Sequence, residues 1–116
     1  MSEPIGKLGH LIVPVDDVAA AVDFYTNLLG CELRFRDGDR YAAVKAGELT
    51  IGLAGPGQQA PGGGIALSFE VEDLEGAARR LRDGGAQVSD PVEGPHEVRA
   101  TYRDPAGNEG FLYSRL

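Results

Sequence analysis

The chain has 116 residues, enough for one domain and too few for two. It is 42% hydrophobic and carries a net charge of −7, so it has an ordinary core and lacks the basic surface of a nucleic-acid binder. Its one cysteine excludes an internal disulfide and a CxxC metal pair, and no run approaches the roughly 20 apolar residues of a membrane helix.

The first residues, Met1 to Lys7, lack a basic, apolar leader, so the chain is expected in the cytoplasm with no membrane partner. Leu8 to Val15 is an apolar run with strand character. Val18, Ala21, Val22, Tyr25, Leu28 and Leu29 then repeat at helical spacing. Asp17 is the expected N-cap and Gly30 the expected C-terminal stop. Three strands are predicted next: Cys31 to Asp37, Arg40 to Ala46 and Glu48 to Ala54. Asp37-Gly38 and Gly47 turn the chain between them. Cys31 is read as a buried thiol.

Gly55 to Gly64, GPGQQAPGGG, has no apolar period and reads as a flexible connection. Its triple glycine is no phosphate loop, because neither a lysine nor a helix start follows. Beyond it the first half repeats. Ile65 to Val71 is a strand, and Leu74, Ala77, Ala78 and Leu81 form a helix face that ends at Gly84-Gly85. Ala86 to Ser89 begins the next strand. Two more follow near Glu97 to Arg103 and Glu109 to Ser114, joined by the turn Asp104-Pro-Ala-Gly-Asn108. VDDVAAA (Val15 to Ala21) aligns with VEDLEGA (Val71 to Ala77), and GCEL with GAQV. The fold class is therefore α+β, with two tandem βαβββ modules. Module one is about 5–54, the linker 55–64 and module two about 65–116, all in one domain.

Strand alternation assigns the faces. Leu11, Val13 and Val15, then Leu49, Ile51 and Leu53, then Leu67, Phe69 and Val71, are expected under the helices. The opposite faces carry His10, Ile12 and Pro14; Thr50, Gly52 and Ala54; Ala66, Ser68 and Glu70; and Glu109, Phe111 and Tyr113. Small residues, aromatics and a few polar groups suit a ligand pocket. A plain solvent-facing sheet has the same pattern, and alternation alone leaves both readings open.

His10, the helix motifs VDDVAAAVDFYTNLLG and VEDLEGAARRLRDGG, and RDPAGN (Arg103 to Asn108) together resemble the vicinal oxygen chelate superfamily. That family includes glyoxalases, extradiol dioxygenases and bleomycin-resistance proteins. The resemblance implies a cupped mixed sheet around a ligand pocket, and a homodimer. It also implies a divalent metal held by four strands in the catalytic members. Here the corresponding positions fall on His10, Gly52, Ala66 (Gly64 in an ungapped alternative) and Phe111, where catalytic members usually carry Glu. Three of the four lack a donor atom, and a metal needs several converging donors. No cofactor is therefore expected, and metal-dependent catalysis is disfavoured. Glu109, Glu70 and Glu48 are the candidate replacement donors.

The expected ligand pocket comprises His10, Arg34, Gly52, Ala66, Ser68, Phe111 and Tyr113. Phe111 offers an apolar floor for a flat molecule, and Tyr41, Tyr102 and Tyr113 are further stacking candidates. Arg34, Arg36, Arg99 and Arg103 either make the pocket basic, favouring a carboxylate ligand, or pair with Glu32, Asp37 or Glu97 at the rim. Tyr25 is expected in the core. His96 is expected in a solvated loop, and Asp104 and Asn108 in a turn. The favoured function is binding of a small aromatic or antibiotic-like molecule without a catalytic metal. The competing readings are a metal-dependent lyase, isomerase or dioxygenase with an atypical ligand set, and a metal-free enzyme using His10 or Glu70 as base.

Overall fold

A computed structural model describes residues 3–116. Two compact units emerge: His10–Ile65, and Ala66–Leu116 together with the stretch ending at Gly9. Strand β1 (Lys7–Pro14) runs through the boundary.

In the first unit β1 leads into helix α1 (Val18–Asp23) and a π-helical turn (Phe24–Leu28). Strands β2 (Glu32–Asp37), β3 (Tyr41–Ala46) and β4 (Leu49–Ala54) follow. Their order is β2-β3-β4-β1. The β2–β3 and β3–β4 pairs are antiparallel, and β1 runs parallel to β4 with Leu11, Ile12 and Val13 opposite Ile51, Gly52 and Leu53. Val18 and Val22 of α1 pack on Ala42, Val44 and Leu53. Asp17 caps α1, its Oδ1 accepting from the Ala20 amide at 3.1 Å.

The second unit repeats the plan. Strand β5 (Ala66–Glu70) precedes helix α2 (Leu74–Asp83), which Asp73 caps through the Gly76 amide at 3.1 Å. The two caps thus occupy the same place in the repeat. Strands β6 (Gln87–Val88), β7 (Val92–Glu93), β8 (Glu97–Arg103) and β9 (Glu109–Arg115) follow. The order is β5-β9-β8-β6, with β7 also on β8. The sequence reading missed β7. Both β6 and β7 pair with β8, so they are one strand interrupted at Asp90-Pro91. Proline cannot donate to the ladder, which explains the gap. Leu74 and Ala77 of α2 pack on Ala100 and Leu112.

Four expectations need correction. Leu28 and Leu29 do not join the core; they are 74% and 59% exposed. The α-helix ends at Asp23, and the i→i+5 bond from the Leu29 amide to the Phe24 carbonyl rotates the last residues off the apolar face. Plain alternation along the predicted strand Cys31 to Asp37 puts Leu33 and Phe35 on one face, and they do not share it. A bulge at Arg34 sets Leu33 opposite Val44 and Phe35 opposite Ala43, and one extra residue reverses the alternation. Leu67 is 44% exposed rather than under α2. Tyr102 takes that space, packing on Phe69 with its hydroxyl 3.4 Å from the Leu67 carbonyl, so Tyr102 is no stacking candidate. The 55–64 connection is not a free linker. Gln59 Nε2 donates to the Val15 and Ala54 carbonyls at 3.1 Å, and Ala60 is buried. Cys31 is half-buried against the first core. Tyr25 packs there as expected.

Candidate ligand site

The helix-free face of the second unit carries most of the expected pocket residues. Register places Ser68, Phe111 and Thr101 in one row across β5, β9 and β8, and Glu70, Tyr113 and Arg99 in the next. Alternation sends Phe69, Leu112 and Ala100 to the α2 side and these residues to the other. Ala66, Ser68, Phe111 and Tyr113 are all buried, with Phe111 only 2% exposed. The Arg99 guanidinium lies over the Phe111 ring, 4.2 Å from its centroid. That distance is within cation–π range. Tyr113 leans on β1, where a Cβ added at Gly9 would collide with its hydroxyl.

In the first unit His10 and Gly52 lie on the helix-free face of β1 and β4. Gly52 pairs with Ile12 rather than His10. A Cβ at Gly52 would strike the Tyr41 hydroxyl and sit 2.9 Å from Ile12 Cδ1. The space beside Gly52 is therefore already filled. His10 is half-buried. Arg34 sits in the β2 bulge, exposed, its Nη1 3.0 Å from Glu32 Oε1.

The arginines divide between the two readings of the sequence. Arg34 pairs with Glu32, Arg36 with Asp39 at 3.7 Å, and Arg103 with Glu109 at 3.6 Å. Arg99 makes no ion pair among the described residues and stacks on Phe111 instead. Sequence reasoning considered Arg99 only as one of four. The signal it lacked was the β8–β9 register, which sets Arg99 opposite Tyr113 and diagonal to Phe111.

The carboxylates on the second unit's face are shifted in opposite directions. Burial pushes the Glu70 carboxyl up. The hydrogen bond and charge of Arg115, at 2.8 Å, and then Lys7, at 3.4 Å, outweigh it, so the group ends below its usual value. Burial raises Glu97, which the charges of Arg99, Arg115 and His96 only partly offset. Burial and the Glu70 charge likewise push the Tyr113 phenol up. Asp104 is lowered, first by the Asn108 side chain, whose Nδ2 donates to Oδ2 at 2.9 Å. Its Oδ1 accepts from the Ala106 and Asn108 amides, so it and Asn108 build the turn.

A divalent metal does not fit these residues. Gly52, Ala66 and Phe111 offer no side-chain donor, and Tyr41 fills the space at Gly52. Among the described residues no three His, Cys, Asp or Glu converge on one point. Of the replacement donors, Glu109 is held by Arg103 and Glu70 by two cations, while Glu48 is exposed. Among the described residues no helix is long and apolar enough to cross a membrane.

Known proteins share this arrangement of modules. The chain is 32% identical over 107 residues to an uncharacterized protein of Mycolicibacterium smegmatis, covering 91% of each. It is 29% identical over 127 residues to an ethylmalonyl-CoA/methylmalonyl-CoA epimerase of Cereibacter sphaeroides, covering 93% of this chain and 95% of that protein. The crystal structure of methylmalonyl-CoA epimerase from Mycobacterium tuberculosis superposes with a TM-score of 0.79 at 21% identity, covering 100% of this chain and 93% of that one. At that identity the match speaks for the fold. A family model matches residues 7–109, and the chain belongs to the Glyoxalase/Bleomycin resistance protein/Dioxygenase superfamily.

Proposed function

We propose that this protein binds a small aromatic molecule without a divalent metal, on the helix-free face of its second module. The observation that carries this reading is Phe111. It stands where the family resemblance puts a metal ligand, and it presents a ring under Arg99 in place of a donor. A ring stacked on a guanidinium is a rigid platform, and the outer face of the guanidinium accepts a further flat group. Ser68 and Thr101 supply hydroxyls in the same row.

The test is an NMR screen of small aromatic compounds against labelled protein in the presence of EDTA. Binders are expected to perturb Ser68, Phe111 and Tyr113 together. Phe111→Leu, which keeps an apolar side chain but removes the ring, is expected to weaken them several-fold while leaving the fold intact. Binders that perturb none of these residues, or bind only when metal is supplied, contradict the reading.

An epimerase-type activity on an acyl-CoA, dependent on a metal, is the second reading. Its support is the 29% identity to the Cereibacter sphaeroides epimerase across nearly the whole chain, together with the retained His10. Stoichiometric metal bound through His10 would favour it over the first.

A further inference from the structure

We infer that the ligand carries a carboxylate, or an anion of the same planar geometry, and that Arg99 reads it. The inference rests on the aromatic-binding reading above and adds the charge of the molecule bound. Its starting point is the different fate of four arginines. Arg34, Arg36 and Arg103 each have a carboxylate within ion-pair reach: Glu32, Asp39 and Glu109. Arg115 and Lys7 share Glu70. Arg99 alone among these cations has no ion pair among the described residues, although it is half-buried.

Arg99 Cζ lies 4.2 Å above the Phe111 ring, and a guanidinium that gives its π-face to a ring keeps its in-plane N–H donors for other partners. Those donors form the fork that matches a carboxylate bidentately. The stack also fixes the fork before the ligand arrives, so little side-chain freedom is lost on binding. Glu97, two residues back on the same strand face, feels the Arg99 charge but makes no ion pair with it among the described residues. In a chain of net charge −7 an anion gains nothing from long-range attraction. Recognition must then come from one placed cation, which is what Arg99 supplies.

The experiment compares two probes of equal shape, 2-naphthoate and 2-naphthamide, by NMR titration of wild type, R99Q and R99K, with thermal melting as the check on folding. In wild type, naphthoate is expected to perturb Phe111 and Ser68, and the amide to bind at least about tenfold more weakly, as loss of a charge-assisted pair implies. In R99Q the preference is expected to collapse to about twofold or less, because the amide never used the charge. R99K keeps the charge but loses the fork and the stack, so its preference is expected to fall between the two. Should R99Q fail to fold, R99K decides, and an undiminished preference there overturns the inference. Equal binding of both probes to wild type overturns the carboxylate inference and leaves the aromatic-binding reading standing. A carboxylate preference that survives in folded R99Q also overturns it, since another group then reads the anion. Binding of neither probe at millimolar concentration overturns both.

Discussion

Glu70 and Glu97 stand on one sheet face and titrate in opposite directions. Glu70 is lowered because the cations Arg115 and Lys7 outweigh its burial. Such a group adds stability above the unfolded carboxyl value of about 4.3, and that stability is lost as pH falls through its folded value. Glu97 is raised by burial. It is fully favourable only while protonated, and stability is lost as pH rises through its folded value. Chemical denaturation across pH 3 to 7 should therefore separate two variants. Glu70→Gln is expected to be less stable than wild type at neutral pH, with the gap closing in acid. Glu97→Gln is expected to be more stable than wild type at neutral pH, with that gain also closing in acid. Two parallel curves would contradict the assignment.

The elements explain what the sequence could and could not disclose. Val22→Ala on α1 is expected to cost on the order of 1–3 kcal/mol by denaturant unfolding. Leu28→Lys, only six residues later and of the same apolar period, is expected to cost less than about 0.5 kcal/mol because the π turn exposes it. A straight helix would make both costly. The duplicated helices, the Asp17 cap and the chain order of all strands but β7 were legible, because capping and period are local properties. The π turn and the Arg34 bulge were not, because a single extra residue in a hydrogen-bond ladder leaves no mark on composition. Strand glycines are a third case. Gly9, Gly52 and Gly110 are seats for Tyr113, Tyr41 and Tyr102, which account for three of the four tyrosines. A glycine inside a strand does announce close approach, but only the register says by which ring. Gly52→Ala should lower stability by about 1–3 kcal/mol through overpacking. Tyr41→Phe, which removes the hydroxyl it strikes, should relieve part of that loss in a double-mutant cycle.

At the scale of the whole chain, the duplication has kept its frame and changed its contents. The equivalent places in the two halves are His10 and Ala66, so the halves share caps and strand order without sharing donors. The connection between them shows the same economy of constraint. Gln59→Ala should cost about 1 kcal/mol through its two lost bonds to Val15 and Ala54. Two glycines inserted at Gly63-Gly64, where a Cβ on either would meet nothing, should be neutral within about 0.5 kcal/mol. Of the candidate site, sequence reasoning reached Phe111, Ser68 and Tyr113 through alternation on one sheet. It could not see Arg99 on Phe111, because that contact depends on the pairing of β8 with β9. Aromatic packing thus stands where the family resemblance puts a metal site, and metal content tests this. Protein purified without chelator is incubated with manganese, cobalt, nickel and zinc, freed of loose ions by gel filtration, and assayed by elemental mass spectrometry. Far less than one ion per chain is expected, unchanged in His10→Ala. One tightly held ion per chain, lost in His10→Ala, would contradict it.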